Sequence, residues 1–195
     1  MNDVFKSVTV EEFKAFYARD FYNMFLPVWV ATKAYAKDDI VYYTDNNFYK
    51  ALVANTGVIP SSDTTKWQVV TGLSVFNYIT DDDIRKAMAQ ALTAANEDFG
   101  EDDDEKKRIF LHLVAFFLVL DLKNASAGLN SSYAGLVASK SVGSVSTSYN
   151  FPQWIINSPL YSIYSQNGYG LKYLSLILPY LGCTVLFSTG RTTLA

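Results

Sequence analysis

Few side chains in this chain are equipped to make or break a bond. His112 is the only histidine and Cys183 the only cysteine, so a hydrolytic triad, a thiol–imidazole pair and a histidine-rich metal centre all lack members. His112 interrupts the apolar run 109–120 and reads as a core histidine; Cys183 reads as a small buried hydrophobe. The carboxylates between Glu97 and Glu105 are dense enough to suggest calcium. They lack the alternation of ligands that a calcium loop requires and read as a solvated turn between two helices. Gly168-Tyr169-Gly170 has two of the three glycines of a nucleotide loop, but no buried strand precedes it, and a glycine turn at a helix start accounts for it. No catalytic residue, metal or cofactor is expected, and the chain does not read as an enzyme.

Two other groups of residues point to binding. The stretch Val137-Ala138-Ser139-Lys140-Ser141-Val142-Gly143-Ser144-Val145-Ser146-Thr147-Ser148-Tyr149 is small, hydroxyl-rich and alternating. Its valines are separated by Ser, Lys and Gly, so it forms a polar ribbon that cannot bury a core alone and would be ordered by a neighbour. The candidate contacts with other subunits or partners are Val137, Ser139, Lys140, Ser141, Val142, Gly143, Ser144, Val145, Ser146 and Tyr149, with Arg191 in the tail 184–195. The second group is aromatic: Trp29, Tyr35, Tyr42, Tyr43, Tyr49 and Trp67 fall where a small sheet is expected. Such rings either fill a minimal core or stack on sugars, which makes Tyr35, Tyr43, Tyr49 and Trp67 candidate glycan or capsid contacts.

The elements that position these groups follow from periodicity. Thr9 with Glu12 three residues on is a capping box, and Phe13, Phe16 and Tyr17 continue a helix expected to end near Asp20, before Pro27. Ile40-Val41-Tyr42-Tyr43, a turn at Asp45-Asn46-Asn47, and Phe48-Tyr49-Lys50-Ala51-Leu52-Val53 predict a hairpin, with Trp67-Gln68-Val69-Val70 as a third strand. Thr80 and the acidic first turn after it open a helix reaching about Asp98, with Ile84, Met88, Ala91, Leu92 and Ala95 on one side. The next helix starts in the acidic run and ends near Ser126 as the centre of a bundle. A short helical piece near 159–164 precedes a last helix over 171–181, with Tyr173, Leu174, Ile177, Leu178 and Leu181 inward and Pro179 bending or ending it.

The predicted fold is α+β: a mainly helical bundle, residues 1–27 and 72–195, with a protruding β-ribbon or loop and a small antiparallel β module inserted at 28–71. The 195 residues, half of them hydrophobic, suffice for one core with a small appended module. The net charge of −3 offers no phosphate-neutralising surface of the kind tight nucleic-acid binding needs. The start Met1-Asn2-Asp3-Val4-Phe5-Lys6 has no secretory pattern, and the run 109–120 is shorter than the roughly 20 residues that cross a bilayer. Neither a membrane nor export is expected.

Three motifs in order, Leu111-His112-Leu113-Val114-Ala115-Phe116-Phe117-Leu118-Val119-Leu120, Ser139 through Tyr149, and Asn167-Gly168-Tyr169-Gly170-Leu171-Lys172-Tyr173-Leu174, resemble a family of small head-to-tail adaptor proteins of tailed bacteriophages, over about 79–182. The insert departs from that family. Its Ala34 to Tyr43 stretch, Phe48-Tyr49-Lys50-Ala51, Gly57-Val58-Ile59-Pro60 and Trp67 look like the small chitin-binding modules of secreted carbohydrases. The adaptor resemblance implies a homo-oligomeric ring, a dodecamer, assembled in the host cytoplasm and residing in the virion beneath the portal protein. Such a ring extends a channel that packaged DNA crosses without being bound, and offers a surface to a tail terminator or the next tail adaptor or nozzle protein. The alternative reading is a carbohydrate-binding protein whose insert takes chitin-like or cell-wall glycans.

Overall fold

A computed structural model of the chain describes residues 3–128, 139–142, 145–148 and 159–181. Helices and small antiparallel sheets make an α+β fold. The chain divides into two compact units, one of Met1–Phe13 with Ile84–Ala195 and one of Lys14–Asp83.

The first unit is helical apart from one β-hairpin. Helices α1 (Asp3–Lys6) and α2 (Val10–Phe16) open the chain; α3 (Asp81–Ala94), α4 (Asp103–Ala127), α5 (Pro159–Tyr164) and α6 (Gly168–Leu181) follow. Helix α4 is central because its apolar side chains face nearly every direction: Ile109, Phe110, Leu113, Val114, Phe116 and Leu118 are all buried. It packs on α6 and α1, with Phe5 stacked on Phe110 at 5.1 Å. By length and composition this 25-residue helix is also apolar enough to cross a membrane. The run 109–120 underestimated it because polar turns extend the helix at both ends. Asp102 caps its start, accepting the Glu105 N–H at 2.8 Å, and Gly128 at φ 55° closes its end.

Two helices end sooner than their periodicity suggests. Helix α2 stops at Phe16, and the chain continues to Met24 in separate turns, with Asn23 at φ 57°. Helix α3 stops at Ala94, because Asn96 turns back to accept the Asp98 N–H and Gly100 takes φ 114°. Helix α6, by contrast, starts earlier than expected, at Gly168, because Asn167 caps it. Its Oδ1 accepts the Gly170 N–H at 3.0 Å while its Nδ2 donates to the Phe116 carbonyl of α4 at 3.1 Å. Leu178, expected on the inner face of α6, is exposed.

The second unit is built on a three-stranded antiparallel sheet of β2 (Ile40–Tyr42), β3 (Phe48–Ala51) and β5 (Trp67–Val70), in the order β2-β3-β5. A two-residue pairing of β1 (Ala34–Tyr35) with β4 (Asn55–Thr56) adds a second small sheet. The predicted hairpin turn is present: Asp45 Oδ1 accepts the Asn47 N–H and Asn46 adopts φ 65°. Outside the sheet, Tyr17, Phe21 and Phe25 follow one another at ring distances of 5.6 and 5.9 Å. Phe25 pairs with Ile79, and Leu26 N–H donates to the Ile79 carbonyl.

Candidate functional site

The ribbon expected from the hydroxyl-rich stretch is an antiparallel hairpin of β6 (Ser139–Val142) and β7 (Val145–Ser148). Its register runs from Ser139↔Ser148 to Val142↔Val145. Ser139, Lys140, Ser141 and Val142 therefore lie in one strand, and Val145 and Ser146 in the other. Among the described residues the hairpin is a sheet of two strands, so alternate residues on both outer edges present backbone N–H and C=O groups that no described third strand takes. The remaining candidate contacts Val137, Gly143, Ser144, Tyr149 and Arg191, with the tail 184–195 and Cys183, lie outside the described residues.

The aromatic candidates resolve differently. Tyr35, Tyr49 and Trp67 are 3%, 6% and 1% exposed, and with Val41 and Ala51 they form the core of the β module. Of the two uses open to these rings, Tyr35, Tyr49 and Trp67 take the first, filling a core, and as glycan or capsid contacts these three are corrected because their faces are covered. The cause is size: a module this small has little aliphatic material and uses rings as its interior. Each buried ring also has its polar tip satisfied. Trp67 Nε1 donates to the Val58 carbonyl at 3.0 Å, Tyr35 exchanges hydrogen bonds with the backbone of Val30, and the Tyr49 hydroxyl donates to Asp45 Oδ2 at 2.6 Å. That last bond holds the Asp45 carboxyl below its usual range and pushes the Tyr49 hydroxyl above its own. Tyr43 alone of the four is half-buried, edge-on to Trp29 at 5.5 Å.

Residues weighed for chemistry are placed as follows. His112 is half-buried, not a core residue, although Leu111 and Leu113 on either side are buried. Two carboxylates of the acidic run bond nearby backbone: Asp102 caps α4, and Glu105 accepts the Glu101 N–H together with the Tyr180 hydroxyl. Those hydrogen bonds, the Glu101 N–H first, hold the Glu105 carboxyl below its usual range. Among the described residues no group of three His, Cys, Asp or Glu is placed to hold a metal ion. Gly168 and Gly170 are not a turn before the helix but its first residues, and Gly170 is a close-approach site. A Cβ there would lie 1.9 Å from the Tyr164 carbonyl oxygen and 2.7 Å from the Phe116 ring.

Sequence reasoning missed the open edge of the three-stranded sheet. Leu52 N–H donates to the Lys66 carbonyl, so by antiparallel alternation Gln68 and Val70 face β3 while Trp67 and Val69 turn their backbone groups outward. The outward Trp67 N–H is taken by the Asp63 carbonyl; among the described residues no strand pairs with Val69 on that side. The opposite edge is closed, because Tyr42 of β2 exchanges backbone hydrogen bonds with Pro27 and Trp29. A strand count would have signalled that a three-stranded sheet has two edges; only the structure shows which of them is closed. Phe76, 97% exposed, was missed as well.

Compared with known proteins, the chain matches no family model, no curated sequence and no solved structure.

Proposed function

We propose that this protein is a non-enzymatic component of a tailed-phage particle, an oligomeric adaptor ring that docks beneath the portal and carries the attachment surface for the tail. The observation that carries the reading is the β6–β7 hairpin, a polar two-stranded sheet to whose edges no other strand is paired among the described residues. An isolated hairpin is marginally stable in water, so a chain that keeps one gains by adding it to a neighbour. The resemblance of the three ordered motifs to phage adaptors supplies the context. A rigid helical unit next to such a ribbon supplies the two unlike faces that closure around an axis requires. The modest negative charge suits a conduit that DNA crosses without sticking. Burial of Tyr35, Tyr49 and Trp67 removes the main support for the glycan-binding alternative.

The test is reconstitution. Purified protein mixed with the portal protein of the same genome is expected to give portal-bound rings in electron micrographs, and deletion of residues 137–149 is expected to abolish attachment. Attachment undiminished by the deletion would remove the hairpin from this role.

A further inference from the structure

We infer that the open edge of β5 is the acceptor for β7 of a second copy, so that successive subunits are joined by one continuous sheet. The inference rests on the ring reading above and names the surface through which the ring closes.

Both halves of the junction lie in this chain. The three-stranded sheet has one closed edge, at β2, and one open edge, at β5, where the N–H and C=O of Val69 point away from β3. Val69 is half exposed and Gln68 is exposed beside it. The strand Trp67-Gln68-Val69-Val70 carries no charge, proline or glycine, the devices that normally protect an edge from further pairing. The hairpin has two edges, and they differ. Strand β6, Ser139-Lys140-Ser141-Val142, carries a lysine, the commonest edge guard. Strand β7, Val145-Ser146-Thr147-Ser148, is uncharged and half β-branched. Among the described residues two uncharged strands therefore remain open on one side, β7 and, at Val69, β5, one in each compact unit of the chain, and they belong to separate sheets. Because the donor strand and the acceptor edge are different surfaces of the same polypeptide, pairing between copies is head-to-tail, the kind of contact that closes into a ring. Backbone hydrogen bonds supply the attraction, so no deep side-chain pocket is needed.

The experiment uses the full chain with Cys183→Ser as background. One population, distinguished by a tag, carries Val69→Cys; a second carries a cysteine at one of positions 145–148 in turn. The populations are mixed, assembled with the portal and oxidised. A disulfide joining a tagged chain to an untagged one is expected for at least one position, and only in the assembled fraction. A second variant, Val69→Pro, removes an N–H that makes no bond within its own sheet. It is expected to keep the wild-type circular dichroism and melting temperature while the ring peak is lost in mass photometry. If wild-type rings form but no cysteine position crosslinks and Val69→Pro assembles normally, the pairing is wrong and the ring reading stands. Crosslinking of Val69→Cys to the portal instead of a second copy likewise overturns the pairing. A wild-type chain that stays monomeric beside the portal overturns both.

Discussion

Tyr49 shows how one hydroxyl makes a buried ring pH-sensitive. Its bond to Asp45 holds that carboxyl below its ordinary value, so this contribution to stability is complete above about pH 4 and is lost as pH falls through the folded value. The Tyr49 hydroxyl is shifted upward, so its share is complete below about pH 10 and is lost as pH rises through the folded value. Tyr49→Phe keeps the ring, removes the Tyr49 titration and takes away the largest cause of the Asp45 shift, leaving the hydrogen bonds from Asn47. The expected loss is about 1 kcal/mol at neutral pH, limited by the exposure of Asp45 to solvent, with a flatter acid limb in urea titrations repeated down to about pH 2. An acid limb as steep as wild type would mean that Asp45 draws its shift from elsewhere. Trp67→Ala is expected to cost about 3–5 kcal/mol, because it empties the centre of the module core. Loss of any binding activity in that variant would therefore report unfolding. Gly170→Ala is expected to destabilise by about 2–3 kcal/mol in chemical denaturation, since its Cβ meets a backbone carbonyl that cannot swing aside. A near-neutral result would show that α5 can shift away from α6.

The elements were readable where a short-range signal specifies them. The Thr9–Glu12 box forms as its spacing demands, with reciprocal bonds of 2.8 and 3.1 Å. The same device recurs with an aspartate, where Asp83 accepts from the N–H and hydroxyl of Thr80. The hairpin of β2 and β3 sits where alternation and the Asp45-Asn46-Asn47 turn put it. Helix ends were less legible, because apolar periodicity survives past the point where a side chain captures the backbone. Asn96 stops α3 and Asn167 starts α6 in this way, and nothing in their local sequence distinguishes them from helix-compatible asparagines. Asp102→Ala is expected to cost about 1 kcal/mol by unsatisfying the first turn of α4, measurable as a lowered melting temperature. An unchanged melting temperature would mean that Asp103 or Asp104 takes over the cap.

For the molecule as a whole, the balance of 16 basic against 19 acidic residues leaves little to neutralise phosphates. Duplex DNA at about 0.15 M salt is expected to bind no more tightly than weak non-specific binders, around 10⁻⁴ M, by fluorescence anisotropy. Micromolar binding would be incompatible with a passive channel wall. What the amino-acid order determined by itself is the α+β character, the approximate places of the longer helices and of the three strands of the main sheet, and the polar ribbon, because each depends on short-range patterns along the chain; the short α1, β1 and β4 carried no such signal. Which aromatics are interior and which sheet edge is left open was decided only by the tertiary structure. A ring's exposure and an edge's partner depend on segments far away in sequence: Tyr35 meets Trp67 at 5.4 Å across 32 positions, and β2 is closed by Pro27 and Trp29 while β5 is not.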